Sequence, residues 1–127
     1  MSAPCPFCSG PTDYYIRHEL AGAFYDRFPV NPGHTLVIPF AHRRDLLDCT
    51  PGEVAEIWKV VHEVVEHLQL KHQPDGFNIG TNIGAAAGQT VFHCHVHVIP
   101  RFAGDTPNPR GGVRLVKESL VPYEQGE

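Results

Sequence analysis

Between positions 50 and 72, apolar residues recur every three or four places, at Val54, Ile57, Val61, Val64, Val65 and Leu68. That spacing puts them on one face of an amphipathic α-helix. Thr50-Pro51-Gly52-Glu53 supplies its start. Thr50 serves as the cap, Pro51 takes the first helical position, and Glu53 completes a capping box. The helix is expected to run to about Lys71. His62, His67 and His72 fall off the stripe and read as surface residues.

Elsewhere the apolar residues come in short runs rich in β-branched and aromatic types, the pattern of strands. Tyr14-Tyr15-Ile16 begins the first, and Ala21-Gly22 reads as a turn before Ala23-Phe24-Tyr25. Two prolines and a glycine make residues 28–33 a loop, and His34 to Ile38 forms the next strand. After the helix, Pro74-Asp75-Gly76 is a turn and Phe77-Asn78-Ile79-Gly80 a strand. The last run, Phe92 to Pro100, alternates strictly: His93, His95 and His97 share one strand face, with Cys94, Val96 and Val98 on the other. The order β-β-β-α-β-β predicts an α+β fold, an antiparallel five-stranded sheet packed by one main helix. Residues 1–13 read as irregular, as does a Gly/Pro-rich tail over about 102–127.

At 127 residues the chain reads as a single domain, 1–127, large enough for a real core. A net charge of −4 argues against a general nucleic-acid binder. No apolar run approaches the roughly 18 residues of a membrane span. Met1-Ser2-Ala3-Pro4-Cys5 has neither the basic start nor the apolar stretch of a signal peptide. The four cysteines therefore point to reduced thiols and a cytoplasmic location.

Three imidazoles spaced about 7 Å apart on one strand face are costly unless that face binds something. Near neutral pH imidazole is a nucleophile, a general acid or base, a phosphate partner or a metal ligand. A loop of small residues precedes the run, Gly84-Ala85-Ala86-Ala87-Gly88-Gln89-Thr90. Such a loop brings backbone N–H groups close to an anion. Histidines behind it suggest phosphate chemistry; a solvated histidine face and a plain metal site are the alternatives.

His93-Cys94-His95-Val96-His97-Val98-Ile99 resembles the pattern of the histidine triad (HIT) family. Gly88-Gln89-Thr90 resembles that family's phosphate loop, and Phe24-Tyr25-Asp26 with Pro32 to Pro39 resembles its nucleotide side. The likeness covers about Cys5 to Arg101. It implies a HIT-like fold, a homodimer with a continuous sheet, and chemistry at the α-phosphate of a purine nucleotide. Dinucleoside polyphosphate hydrolysis releasing AMP is the expected reaction. A nucleoside phosphoramidase and a non-catalytic nucleotide-binding protein are the alternatives. By the same resemblance, His95 is the nucleophile that forms a nucleotidyl-histidine intermediate, and His97 lies beside the phosphate. Gln89, Thr90 and Asn82 would meet the phosphate or leaving oxygen, although Asn82 and Thr90 also suit loop structure. Asp26 matches the ribose-binding acid, with a turn role as the alternative. Phe24 and Phe7 match the walls around the base. Arg27 stands where the family often has an apolar residue, which bears on base preference.

Cys5-Pro6-Phe7-Cys8 has the letters of a redox pair, but that role needs a preceding strand and a following helix. Only four residues precede it, and Ser9-Gly10-Pro11 follows. The pair is also half of a tetrahedral zinc site. Some HIT proteins complete such a site with residues matching His42 and His93, which implies a structural zinc on Cys5, Cys8, His42 and His93. Cys94 is expected to be a buried small hydrophobe. The basic run from Arg110 to Arg114 is either a solvated tail or an arm reaching a polyphosphate.

Overall fold

The computed structural model describes residues 5–118. Its elements are α1 (Pro6–Ser9), β1 (Ile16–Arg17), β2 (Ala21–Tyr25), β3 (Thr35–Pro39), α2 (Pro51–His72), β4 (Gly76–Gly80) and β5 (Val96–Arg101). Single 3-10 turns lie at Leu46–Asp48, Ala85–Ala87 and Gly112–Arg114. The strands form one sheet in the order β1-β2-β3-β5-β4, with every neighbouring pair antiparallel. The α+β class, the five strands and the single main helix are as the sequence pattern predicts. Among the described residues, no helix is long and apolar enough to cross a membrane.

The start of α2 uses all three expected signals. The Glu53 N–H donates to the Thr50 hydroxyl at 3.1 Å, and the Thr50 N–H donates back to the Glu53 carboxylate at 2.7 Å. The helix ends one residue later than expected, where Gln73 turns left-handed at φ 51°. Its core face is Ile57, Val60, Val61, Val64 and Leu68. Val60 was absent from the expected stripe, while Val54 and Val65 are only half-buried. The packed face is thus turned slightly toward Val60. His62 is exposed, as read. His67 is not a plain surface residue: its ring lies 4.8 Å from Tyr15, and its Nε2 is 3.3 Å from the Tyr25 hydroxyl.

Helix α2 covers one face of the sheet, packing on Ala21, Ala23, Val37, Cys94, Val96 and Val98. Each of the valines contributes roughly 1.5–3 kcal/mol when fully buried. Cys94 is buried among them, as expected of a small hydrophobe. The opposite face carries Phe24, Leu36 and Ile38, partly covered by Phe7 and Tyr14. That incompletely covered face holds the candidate site.

Three local expectations need correction. Ala21 and Gly22 are strand, not turn; the turn precedes them, with His18 N–H donating to the Ala21 carbonyl at 2.9 Å. Glycine is required at position 22 of the strand because a Cβ there would stand 2.8 Å from the Tyr14 ring and 2.9 Å from Phe40. The expected irregular start contains the one-turn helix α1. It stops at Gly10, where a Cβ would meet the Pro6 carbonyl oxygen at 2.1 Å. The histidine run is strand only from Val96 onward. His93 to His95 bond elsewhere: Cys94 N–H donates to the Arg43 carbonyl at 2.6 Å, and the Thr81 hydroxyl donates to the His95 carbonyl at 2.7 Å. Residues from Phe102 to 118 are irregular apart from one 3-10 turn; 119–127 of the expected tail lie outside the described residues.

Candidate active site

Strand register assembles the site. Phe24 pairs with Leu36, and Leu36 pairs with His97, which makes one cross-strand row on the face away from α2. Two residues after Phe24, just past the end of β2, Asp26 donates its N–H to the His34 carbonyl at 2.9 Å. A cleft of about 600 Å³ lies over these rows. Phe7, Phe24, Asp26, Asn82, Thr90, His95 and His97 all line it. Arg27 lines it too. Most residues expected at a nucleotide site are therefore brought together.

His95 has one defined tautomer. Its Nδ1 lies 2.8 Å from the His93 carbonyl oxygen, which can only accept. Nδ1 therefore carries the proton, and the Nε2 lone pair is left available. The Phe7 ring meets His95 edge-on, with centroids 5.2 Å apart.

A chain of donors also fixes His97, through a residue that the sequence reading missed. The Val30 backbone N–H donates to His34 Nδ1 at 3.0 Å. A neutral His34 therefore carries its proton on Nε2, which donates to His97 Nδ1 at 3.0 Å. His97 in turn carries its proton on Nε2. Burial lowers His97 from 6.5 to about 4, helped by the neighbouring imidazoles of His95 and His34 and opposed by Asp26. Burial also lowers His34, against the pull of Asp26. Both rings are thus neutral near pH 7. The signal for His34 was its alternation with Leu36 and Ile38, which puts it on their face of β3; only the register with β5 reveals its partner.

Asp26 takes the turn role and also lines the cleft. One carboxylate oxygen accepts from Phe28 N–H at 2.9 Å, as a turn aspartate does, and the other lies 3.5 Å from His34 Nε2 within the cleft. Asn82 and Thr90 line the cleft with no side-chain hydrogen bond among the described residues. Gln89 is placed differently from its neighbours. It is buried and does not line the cleft. Its amide oxygen accepts from Gly84 N–H at 2.9 Å, and its amide nitrogen donates to the carbonyls of Arg44 at 2.7 Å and Val91 at 3.1 Å. It holds the ends of the small-residue loop together. Arg110 and Arg114 are likewise absent from the lining, and the turn that contains Arg114 sits beside β4.

Cys5, Cys8, His42 and His93 bring four metal-ligating atoms within 4.8 Å of one another. The Nδ1 atom of His93 is 3.4 Å from Cys5 Sγ and 3.5 Å from Cys8 Sγ; that of His42 is 3.2 Å from Cys8 Sγ. A tetrahedral zinc with ordinary bond lengths sets sulfur–nitrogen edges of about 3.6 Å. His93 also donates Nε2–H to the Pro39 carbonyl at 2.8 Å, which leaves the Nδ1 lone pair facing the thiols. Burial and proximity to Cys5 push the Cys8 thiol up, a cost that a bound cation removes. The donor set fits a zinc ion. Asp26, His34 and His97 also cluster closely. They do not suit a metal, because His34 Nδ1 already accepts a backbone N–H. Ligation through Nε2 would require an imidazolate.

The HIT domain family model matches residues 9–104. The chain is 38% identical over 90 residues to the AP-4-A phosphorylase of Mycobacterium tuberculosis, covering 70% of this chain and 46% of that protein. It is 40% identical over 91 residues to the asymmetrical bis(5'-nucleosyl)-tetraphosphatase of Schizosaccharomyces pombe, covering 72% and 50%. The chain thus spans about half the length of each of these two relatives. A solved structure of a hypothetical histidine triad nucleotide-binding protein from Sulfolobus tokodaii superposes with a TM-score of 0.73 at 40% identity. That match covers 82% of this chain and 73% of the other.

Proposed function

Because the chain belongs to the HIT family, we propose that it hydrolyses nucleotides at the α-phosphate, with dinucleoside polyphosphates as substrates and AMP as a product. The observation that carries this reading is the pair of fixed tautomers on one cleft. His95 presents a bare Nε2 and His97 presents an Nε2–H. Phosphoryl chemistry needs that division, a nucleophile beside a donor to the oxygens that gain charge.

In the proposed reaction, the Nε2 lone pair of His95 attacks the α-phosphorus. The bond to the leaving oxygen breaks, and the polyphosphate nucleoside departs. Water then cleaves the nucleotidyl-imidazole, and Nε2 is bare again. His97 donates to a phosphoryl oxygen throughout. Thr90 and Asn82 meet the phosphate from the loop side, and Asp26 accepts from the ribose hydroxyls. Phe7 and Phe24 flank the base. Gln89 acts from behind the loop rather than on the substrate.

The leaning to dinucleoside polyphosphates draws support from the two named relatives. A structural zinc on Cys5, Cys8, His42 and His93 would fix the segment before the sheet and support His93, whose carbonyl holds the His95 proton. A homodimer joining two sheets is proposed on the family resemblance, and β4 is the outer strand that such a join would use. Four free thiols suit a reducing compartment, so the proposed location is cytoplasmic.

The test incubates the pure chain with diadenosine tetraphosphate and, separately, with an adenosine phosphoramidate, following AMP by chromatography. The expected result is AMP from the first substrate, lost in His95→Ala. AMP from the phosphoramidate alone would make the protein a phosphoramidase. AMP from neither, with nucleotide still bound, would mark a binding protein.

A further inference from the structure

Helix α1 is weakly anchored. Among the described residues, no backbone hydrogen bond joins residues 5–13 to the rest; the first is Tyr15 N–H to the Ala23 carbonyl. Its own bonds are local, Ser9 N–H and the Ser9 hydroxyl both donating to the Cys5 carbonyl at 3.3 and 3.0 Å. A single helical turn does not persist alone in water. Two kinds of contact hold it: the thiols of Cys5 and Cys8 against His42 and His93, and the ring of Phe7. Phe7 stands between the two cysteines in sequence. Its ring meets Phe24 at 5.7 Å, His93 at 5.9 Å and His95 at 5.2 Å, every contact edge-on. It lines the cleft as well.

We propose that the metal held by Cys5, Cys8, His42 and His93 builds one wall of the nucleotide cleft, clamping Phe7 over Phe24 and His95 so that nucleotide affinity depends on the metal. The inference rests on the zinc and nucleotide readings given above. Without a cation, two neighbouring thiols and two imidazoles offer α1 only weak hydrogen bonds, while its backbone has no partner on the sheet. Alone, Phe7 must supply the remaining hold through edge-on ring contacts that are individually weak. The wall then opens, and the cleft loses an aromatic face. The sheet and α2 share no backbone bond with α1 and keep their fold. By linkage, nucleotide binding tightens the hold on the metal by the same factor.

The test titrates AMP into the full chain by calorimetry in three states: zinc-loaded, stripped with chelator, and reloaded. Metal content is measured in each, and far-ultraviolet circular dichroism checks the sheet. Stripping is expected to weaken AMP binding at least tenfold with the dichroism retained, and reloading to restore it. Phe7→Ala, kept zinc-loaded, is expected to weaken AMP binding by a similar factor. Stripping the metal from Phe7→Ala should then cost little more, because the two changes act on one wall.

AMP affinity unchanged within twofold on stripping overturns the proposal. So does a full additional loss on stripping Phe7→Ala. If stripping unfolds the sheet, α1 is part of the core rather than a clamp, and the proposal also fails. Absence of zinc from the pure protein sinks the metal reading instead. Absence of AMP binding to the zinc-loaded chain sinks the nucleotide reading.

Discussion

His34 and His97, 63 residues apart in the chain, share one proton between Nε2 and Nδ1 at 3.0 Å. The backbone N–H of Val30 sets the direction of that bond, so His97 faces the cleft as a donor. Replacing His34 with Phe removes the donor and lets the His97 proton return to Nδ1. Turnover of diadenosine tetraphosphate is expected to drop about a hundredfold, the lower end of what a positioned proton supplies. The Michaelis constant should change little. Steady-state kinetics on His34→Phe checks this; a change confined to the Michaelis constant would mean that His34 only shapes the pocket.

The lowered pKa of His97 makes stability depend on pH. In the folded chain it titrates near 4, against an ordinary value of 6.5. On acidification the unfolded chain takes up the proton first. The stability of the neutral ring is therefore complete above about pH 6.5, declines as pH falls toward about 4, and levels off below that. One proton sets a ceiling of about 1.4 kcal/mol per pH unit on the slope. Denaturant unfolding between pH 7 and 4 should show this slope in the wild type. It should be reduced in His97→Asn, which cannot titrate.

Gln89 gives a prediction opposite to that for a residue touching phosphate. Its amide joins Gly84, Arg44 and Val91, closing the loop from both ends. Gln89→Ala leaves one N–H and two carbonyls in need of partners, at about 1–3 kcal/mol for each one that stays buried. Both the melting temperature and turnover should fall. Gln89→Glu should fare worse than Ala, because its carboxylate faces two carbonyl oxygens. Loss of turnover with unchanged melting in Gln89→Ala would put the amide on the substrate instead.

Much of this organisation was readable in advance, for identifiable reasons. The period of α2 and its capping box are local, so Thr50, Pro51 and Glu53 marked the start unaided. Alternation survives beyond the formal strand, so His95 and His97 were placed on the cleft side although β5 starts only at Val96. The Cys-x-x-Cys spacing marked the N-terminal half of the metal cluster, and the family resemblance supplied the rest. The parts that escaped depend on partners distant in sequence. His34 acquires its role from the register between β3 and β5. Gln89 is set apart from Thr90 by a carbonyl 45 residues earlier. Gly22 imitates a turn residue because composition does not reveal the rings of Tyr14 and Phe40 above it.

Glu53 links the helix start to the histidine run, and its loss should exceed the cost of a helix cap. Its carboxylate accepts from Thr50 N–H at 2.7 Å and from Arg43 Nε at 2.9 Å, and the residue is buried. Burial works against the charge, but Thr50 and Arg43 outweigh it and hold the carboxyl below its ordinary value. Stability from this group is therefore present above the ordinary carboxylate range and lost as pH falls through it. Thr50→Ala removes one cap bond, at about 1 kcal/mol. Glu53→Ala removes the return bond and strips Arg43 of its partner, at about 2–4 kcal/mol. The Arg43 carbonyl also accepts from Cys94 N–H, one residue from the proposed nucleophile. Glu53→Ala should therefore lower turnover as well as stability, whereas Thr50→Ala should lower stability alone. Urea denaturation and steady-state kinetics on the two variants separate these outcomes. Equal turnover in both would mean that Arg43 holds the histidine run without help from Glu53.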